Sequence, residues 1–238
     1  MAIKAVAFDL DGTLTQHKQK LSEEHRHILY ELGKKYEILM VGAGTCERIY
    51  KQMKEFPITI IGNYGMMRSV IENNEFKMVR DLSVPCDRES VDARVTAFRE
   101  KHGFTEFAGR NVEFHPSGCV TIPILGTDAK VEDKLAFDPD RAKRRALYEE
   151  VKELFPEYTV FVGGSSSYDM TPAPYEKAFA LKEYADEKGY AMDEIVYVGD
   201  DYGPGGGDET VLKAGFPFIK VDDYRDFPEK VAFLFDEK

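Results

Sequence analysis

The sequence predicts an α/β protein, a doubly wound parallel sheet interrupted by a smaller α+β unit. Three observations carry that expectation. Short apolar runs alternate with helix-like segments up to Gly62, the pattern of strands covered by helices. The alternation lapses between Asp87 and about Met170, then resumes from Lys177 onward. Where the first apolar run ends, two carboxylates stand one residue apart in Phe8-Asp9-Leu10-Asp11-Gly12-Thr13-Leu14-Thr15. Acids at the carboxyl end of a buried strand suit a site in the crevice of an open α/β sheet.

Taken in order, Ile3 to Phe8 reads as the first buried strand. Ser22 is a credible N-cap for a helix over Glu23 to Leu32, with two glutamates in its first turn and Gly33 at its end. Glu37 to Val41 is the second strand and feeds the small-residue turn Gly42-Ala43-Gly44-Thr45. Cys46 to Phe56 is helical, and Ile58 to Ile61 is a third strand ending at Gly62-Asn63. Arg68 to Ile71 and Phe76 to Val79 flank a polar turn and read as a hairpin. Pro85 marks a boundary. Beyond it come a helix over Glu89 to His102, strands at Asn111 to Phe114 and Cys119 to Ile124, a helix over Asp140 to Phe155 and a strand at Thr159 to Gly163. A helix over Lys177 to Glu187, a strand at Ile195 to Val198, a short helix over Asp208 to Ala214, a strand at Phe218 to Val221 and a terminal helix over Pro228 to Phe235 complete a Rossmann-like core. The expected division is a core of residues 1–84 and 171–238, with a cap at 85–170.

Composition narrows the partners. A formal charge of −11 argues against nucleic acid or an anionic membrane as the main partner. Three widely spaced cysteines form neither a zinc pattern nor a disulfide framework, and with no signal-like segment the expected compartment is the cytoplasm. No apolar run approaches the ~20 residues that span a bilayer.

The chemistry follows from the acids. Like charges as close as those of Asp9 and Asp11 repel unless a cation sits between them, and magnesium prefers oxygen ligands. Asp9 is the expected nucleophile, able to carry a phosphoryl group as an acyl phosphate. Asp11 is the expected acid–base. Asp200 follows a buried strand and would bring a metal ligand to the same crevice, with Asp201 and Asp208 as further candidates. Thr45 could donate to a phosphate oxygen, and Lys177 could neutralise phosphate as a point charge. The His25/His27 pair lacks metal-ligand spacing and reads as surface, as does the basic run Arg141 to Arg145. The Gly163 to Ser167 segment could cradle phosphate or serve as a hinge.

These residues resemble the haloacid dehalogenase superfamily: Phe8 to Thr15 is similar to its first motif and Val198-Gly199-Asp200-Asp201 to its acidic fourth motif. Gly163 to Lys177, with Gly163-Gly164, Ser167, Asp169, Pro172 and Lys177 in step, resembles the eukaryotic-type phosphomannomutases, as do Pro204-Gly205-Gly206 and Asp208. The resemblance implies magnesium held by the side chains of Asp9 and Asp200 and the carbonyl of Asp11, with Asp208 nearby. It also implies sugar contacts from Ser167 and Asp169, and a homodimer remains open. The second-motif hydroxyl position of the family falls at Gly44, with Thr45 one place later, and its Asn-Gly turn becomes Asn63-Tyr64-Gly65, which keeps Asn63 as a substrate-binding candidate. The cap arginines that hold the remote phosphate in the mutases read His115, Thr127 and Lys134 here.

That last departure ranks the expected activities. A mutase must hold a bisphosphate intermediate while it turns over; a phosphatase needs only to admit water. Each lost charged hydrogen bond costs about 1.5–3 kcal/mol, which favours release. The expected function is therefore a magnesium-dependent phosphatase of small sugar phosphates. A phosphomannomutase-like hexose phosphate mutase comes second and a non-catalytic phosphate or magnesium binder third.

Overall fold

The computed structural model describes residues 2–236. In chain order the elements are β1 (Ala5–Phe8), α1 (Glu23–Leu32), β2 (Glu37–Val41), α2 (Cys46–Gln52), β3 (Thr59–Gly62), β4 (Met67–Glu72), β5 (Glu75–Asp81), α3 (Arg88–His102), β6 (Glu113–Phe114), β7 (Val120–Pro123), α4 (Val131–Phe137), α5 (Ala142–Ala146), α6 (Tyr148–Leu154), β8 (Tyr158–Phe161), β9 (Ser167–Pro172), α7 (Lys177–Lys188), β10 (Ile195–Gly199), α8 (Glu209–Ala214), β11 (Phe218–Lys220) and α9 (Phe227–Val231). They form two compact units. Among the described residues the first comprises 2–81, 176–203 and 208–236; the second comprises 82–175 and the short stretch 204–207. The second unit thus begins and ends a few residues outside the expected 85–170, because the chain entering before α3 and leaving after β9 packs with it.

The first unit is built on a seven-stranded sheet in the order β11-β10-β1-β2-β3-β4-β5. The first five of these run parallel, and the β4–β5 hairpin adds two antiparallel strands at one edge. β1 lies in the middle, pairing Phe8 with Val198 of β10 on one side and with Met40 of β2 on the other. Each strand residue of β1 is fully buried, and alternate side chains enter different cores. Val6 and Phe8 join Leu29, Leu32, Ile49 and Phe227 on one face, while Ala5 and Ala7 join Leu181, Tyr184 and Val211 on the other. This two-sided burial explains why the strand reads as a continuous apolar run.

Capping follows the sequence signals. Ser22 accepts from the His25 N–H at 3.1 Å and starts α1. Gly189 and Gly215, both left-handed, close α7 and α8. His25 departs from the surface reading: it is buried, its Nδ1 lies 2.8 Å from the Leu14 carbonyl, and its ring meets Phe227 edge-on. The apolar stripe of α1 turns this histidine inward, and one main-chain partner satisfies it.

The second unit carries a four-stranded antiparallel sheet in the order β6-β7-β9-β8. Here the sequence reading was coarser than the structure. The single helix expected over Asp140 to Phe155 is divided at Leu147 into α5 and α6. α4 was not expected, and no residue of it is buried, so it offers no apolar stripe to read. Ser167 to Pro172 forms β9, the strand at the heart of this sheet.

The basic run also needs correcting. Arg144 is buried at 2% exposure. Its Nε pairs with Asp138 Oδ2 at 2.8 Å, and its Nη1 donates to the carbonyls of Gly163 and Gly164 and, at 2.9 Å, to that of Ser167. One guanidinium therefore collects the carbonyls of the Gly163–Ser167 turn that leads into β9. Removing one partner of a buried pair strands the other charge, typically at about 3–5 kcal/mol. Arg144→Met is accordingly expected to lower the unfolding free energy by about that amount, and urea denaturation with an unchanged midpoint would refute the assignment.

Candidate functional site

The carboxyl ends of β1 and β10 carry the site. Asp9 follows β1 directly, and its N–H donates to the Val198 carbonyl at 2.9 Å, locking the two strand ends together. Asp200 follows β10. Lys177 begins α7, which Glu176 caps by accepting from the N–H groups of Ala178 and Phe179, both at 2.9 Å. The Lys177 ammonium, at 3% exposure, donates to Asp9 Oδ1 and to Asp208 Oδ1, both at 2.7 Å. Asp208 is fully buried and collects two more donors, the Tyr197 hydroxyl at 2.6 Å on Oδ1 and the Asp201 N–H at 2.9 Å on Oδ2.

One carboxylate oxygen from each of Asp9, Asp200 and Asp208 lies within 4.8 Å of the other two. Three acids then face one buried ammonium. Burial drives the Asp9 carboxyl well above the carboxylate range, and Asp208 and Asp200 add to the rise against the opposing pull of Lys177. Asp200 is pushed up to about 6 by burial and then by Asp208. For Lys177 burial acts downward, but Asp208 and Asp9 outweigh it and hold the ammonium well above its usual value. Burial likewise raises Tyr197, keeping its hydroxyl a donor. An excess of negative charge on oxygen donors fits a hard dication such as magnesium. Asp9 Oδ1 accepts from Lys177 and Asp200 Oδ1 from Thr13, both at 2.7 Å. Asp208, with both oxygens engaged by protein donors, positions Lys177.

Gly12 makes this approach feasible. Its φ of +101° is a glycine conformation, and a Cβ there would stand 2.3 Å from Asp200 Oδ2. The turn re-aims the second acid. Asp11 points to a different set of partners from those of Asp9: Oδ1 accepts from Gln52 Nε2 at 2.6 Å and from the Lys18 N–H at 2.7 Å, and Oδ2 from Arg48 Nη1 at 3.2 Å. Burial would raise its pKa, but Gln52, the Lys18 N–H and Arg48 together bring it below the ordinary value. In this arrangement Asp11 is an anion, and acid–base work requires it to leave these partners.

The remaining candidates divide between the two units. Thr45 has a local role, accepting from the Arg48 N–H at 3.3 Å as the N-cap of α2. Asn63 follows β3 with φ +48°, and its N–H donates to the Gly44 carbonyl at 2.7 Å. In the second unit, Ser167 and Asp169 alternate along β9 and so share a face. Ser167 donates to the Gly163 carbonyl at 3.2 Å. Asp169 accepts from the Thr121 hydroxyl at 2.9 Å, and burial raises its pKa. His115 Nε2 lies 3.1 Å from the same Thr121 oxygen. Lys134 Nζ donates to the Thr127 carbonyl at 2.8 Å, and the Thr127 hydroxyl donates to Asp128 at 2.9 Å. Tyr197, Arg48 and Gln52 are site residues that the sequence reading missed. Gln52 and Arg48 carry no signal at the first motif, and Tyr197 reads as one more apolar strand residue.

A family model described as eukaryotic phosphomannomutase matches residues 103–215. Phosphomannomutase from Saccharomyces cerevisiae is 25% identical over 220 residues, covering 87% of this chain and 84% of its own length. The Schizosaccharomyces pombe phosphomannomutase is 26% identical, with 87% and 84% covered. The chain has the haloacid dehalogenase fold and resembles the eukaryotic phosphomannomutases in sequence. Among solved structures, a haloacid dehalogenase superfamily phosphatase from Bacteroides thetaiotaomicron aligns with a TM-score of 0.64 at 17% identity, covering 98% of this chain and 96% of the other. An IMP-nucleotidase from Plasmodium falciparum aligns with a TM-score of 0.74 at 11% identity, covering 99% and 69%. No helix among the described residues is long and apolar enough to cross a membrane.

The carboxylate cluster has a thermodynamic signature. Burial, and then Asp208, raise the folded Asp200 carboxyl from its ordinary 3.8 to about 6. Between those values the folded state binds more protons, so metal-free stability falls as pH rises, by at most about 3 kcal/mol for this group. A magnesium ion held by the ionised carboxylates would oppose that loss. The rise in Tm on adding magnesium is expected to be larger at pH 8 than at pH 5, and equal rises at both would refute a carboxylate-held metal.

Proposed function

We propose that the chain is a magnesium-dependent phosphoryl-transfer enzyme that works through an aspartyl phosphate on Asp9, and that it interconverts hexose phosphates in the manner of a phosphomannomutase. The buried Asp9–Lys177–Asp208 constellation beside Asp200 carries the reading of the chemistry. The named relatives, alike over most of this chain, support interconversion over the hydrolysis that the sequence alone put first.

The residues divide the work. An oxygen of Asp9 attacks phosphorus, the bond from phosphorus to the sugar oxygen breaks, and Asp11, once protonated and free of Gln52 and Arg48, gives its proton to that oxygen. Asp11 then takes a proton from the second sugar hydroxyl, whose oxygen attacks the acyl phosphate and releases Asp9. Lys177 keeps Asp9 aligned and draws it toward the ionised form against the burial that raises its pKa. Asp9, Asp200 and the Asp11 carbonyl are the residues that would hold magnesium, which offsets repulsion between the nucleophile and the phosphate oxygens. Ser167 and Asp169 are assigned to the sugar and Lys134 to the remote phosphate, with Asn63 a further substrate contact.

A specific observation favours hydrolysis as the second reading. At the positions of the mutases' cap arginines, His115 rests on Thr121 and Thr127 on Asp128, and the Lys134 ammonium is taken up by a carbonyl. None of them presents a bidentate fork.

With mannose and glucose 1- and 6-phosphates, a bisphosphate activator and magnesium, interconversion is expected to outpace phosphate release; the reverse ratio would install the phosphatase. Asp9→Asn is expected to abolish both activities, and either one surviving would exclude Asp9 as the nucleophile. Asp11→Asn is expected to lower kcat by about 10²–10⁴-fold, the usual worth of a general acid–base; an unchanged kcat would remove it from the chemistry.

A further inference from the structure

The turn after β2 leaves an opening at Gly44, and a single side chain occupies it. A Cβ built on Gly44 would stand 2.2 Å from Nη2 and 2.3 Å from Nε of Arg48. The guanidinium therefore lies over the turn, in space that any side chain at position 44 would take. Its Nη1 donates to Asp11 Oδ2 at 3.2 Å and to Gln52 Oε1 at 2.9 Å. Gln52 in turn donates to Asp11 Oδ1 at 2.6 Å and to the Thr15 hydroxyl at 3.1 Å. The Arg48 side chain is 43% exposed, so the group is held and still meets solvent.

We propose that Arg48 is a phosphate-binding residue of this site, its guanidinium grasping the transferring phosphoryl group from the place where a side chain at position 44 would otherwise stand. The proposal rests on phosphoryl transfer at Asp9. Three observations support it.

Lys177 is the first. Its ammonium is buried and divided between Asp9 and Asp208, so it offsets charge already present and has little left for an arriving dianion. Strand order is the second. β1 and β2 run parallel with Phe8 opposite Met40, so the Asp9 turn and the Gly44 turn leave the sheet at the same, carboxyl, end of the strands. Arg48 also touches Asp11, two residues from the nucleophile. The third is the weakness of its present pairing. One nitrogen meets one carboxylate oxygen at 3.2 Å in a partly exposed pair, and such pairs contribute little. A phosphoryl group offers matched oxygens to the fork and is the stronger partner. When it draws the guanidinium away, Asp11 keeps Gln52 and the Lys18 N–H and loses its cation, which places phosphate arrival ahead of the release of Asp11.

The test is direct binding of inorganic phosphate to the full chain in the presence of magnesium, read by calorimetry. Arg48→Ala is expected to weaken phosphate about 10–100-fold, the size of one charge-assisted contact, with magnesium affinity and Tm unchanged. Arg48→Lys is expected to fall between the two, since a lysine restores charge without the fork. Gly44→Ala, which evicts the guanidinium without adding a hydroxyl and leaves residue 48 intact, is expected to weaken phosphate relative to wild type. Wild-type phosphate affinity in Arg48→Ala would overturn the proposal. So would a loss matched by an equal loss of magnesium affinity, which would mark Arg48 as a support for the carboxylates. Binding is read without turnover. A wild-type chain that binds phosphate through Arg48 but neither interconverts nor hydrolyses sugar phosphates would sink the proposed reaction and leave this assignment standing.

Discussion

The Lys177 ammonium, buried between Asp9 and Asp208, is the interaction on which the rest of the first unit depends. A cation removed from water is tolerated only with close, well-placed counter-charges. Those charges come from the chain's beginning and its late part. Asp9 stands at the end of the central strand, Lys177 at the head of the first helix after the second unit, and Asp208 ahead of the short helix after β10. The sheet sets β1 beside β10 in parallel, which brings Asp9 to Asp200 and leaves Lys177 within 2.7 Å of two acids. The fold and the site are therefore one constraint: the strand order that buries Phe8 and Val198 also gathers the charges.

That gathering leaves an electrostatic deficit. Asp9 and Asp200 both sit above their usual range, burial first and neighbouring acids next, even with Lys177 present. A site in that condition favours a dication, and by the same account repels the phosphate it is proposed to bind. The chain as a whole, at −11, does nothing to relieve this. Neutralisation has to be local and staged: a metal against Asp9 and Asp200, Lys177 inside the cluster, and a second cation at the rim. Arg48 has the exposure and position for the rim, and Gly44 supplies the room.

Much of this was legible in the chain. The parallel core follows from apolar runs with helix signals between them, because strands buried on both faces leave no polar alternation. The Asp9, Asp11 and Asp200 positions follow from acids placed where such runs stop. Local patterns were silent where long-range packing decides. His25 looks solvent-facing until Phe227 and the Leu14 carbonyl are brought to it. Arg144 sits in a run of bases that reads as a wetted helix face, yet Asp138 and the carbonyls of the Gly163–Ser167 turn draw it inside. The helix break at Leu147 carries no proline or glycine to announce it. Arg48 is invisible for a related reason: its meaning comes from the missing side chain at Gly44, which sequence records only as a small residue.

The two candidate reactions share their first half. Attack by Asp9 and departure of the sugar oxygen are the same for a mutase and a phosphatase, so neither Asp9 nor Lys177 can discriminate between them. The choice falls at the acyl phosphate, on which oxygen Asp11 deprotonates next. A sugar hydroxyl wins over water only if the sugar phosphate stays bound while it reverses, and what keeps it is charge on its far phosphate. At the positions that supply that charge in the mutases, this chain has one ammonium and no guanidinium, and the ammonium already donates to a backbone carbonyl. Weak remote binding also lowers the barrier to reversal, since the same contacts must break before the sugar can turn. On the proposed assignment of Lys134 to the remote phosphate, the ratio of interconversion to hydrolysis would be a competition between reorientation and escape, decided there rather than at the nucleophile. A guanidinium at the near end through Arg48 shifts none of that balance, because it acts on the phosphoryl group that both reactions hold in common.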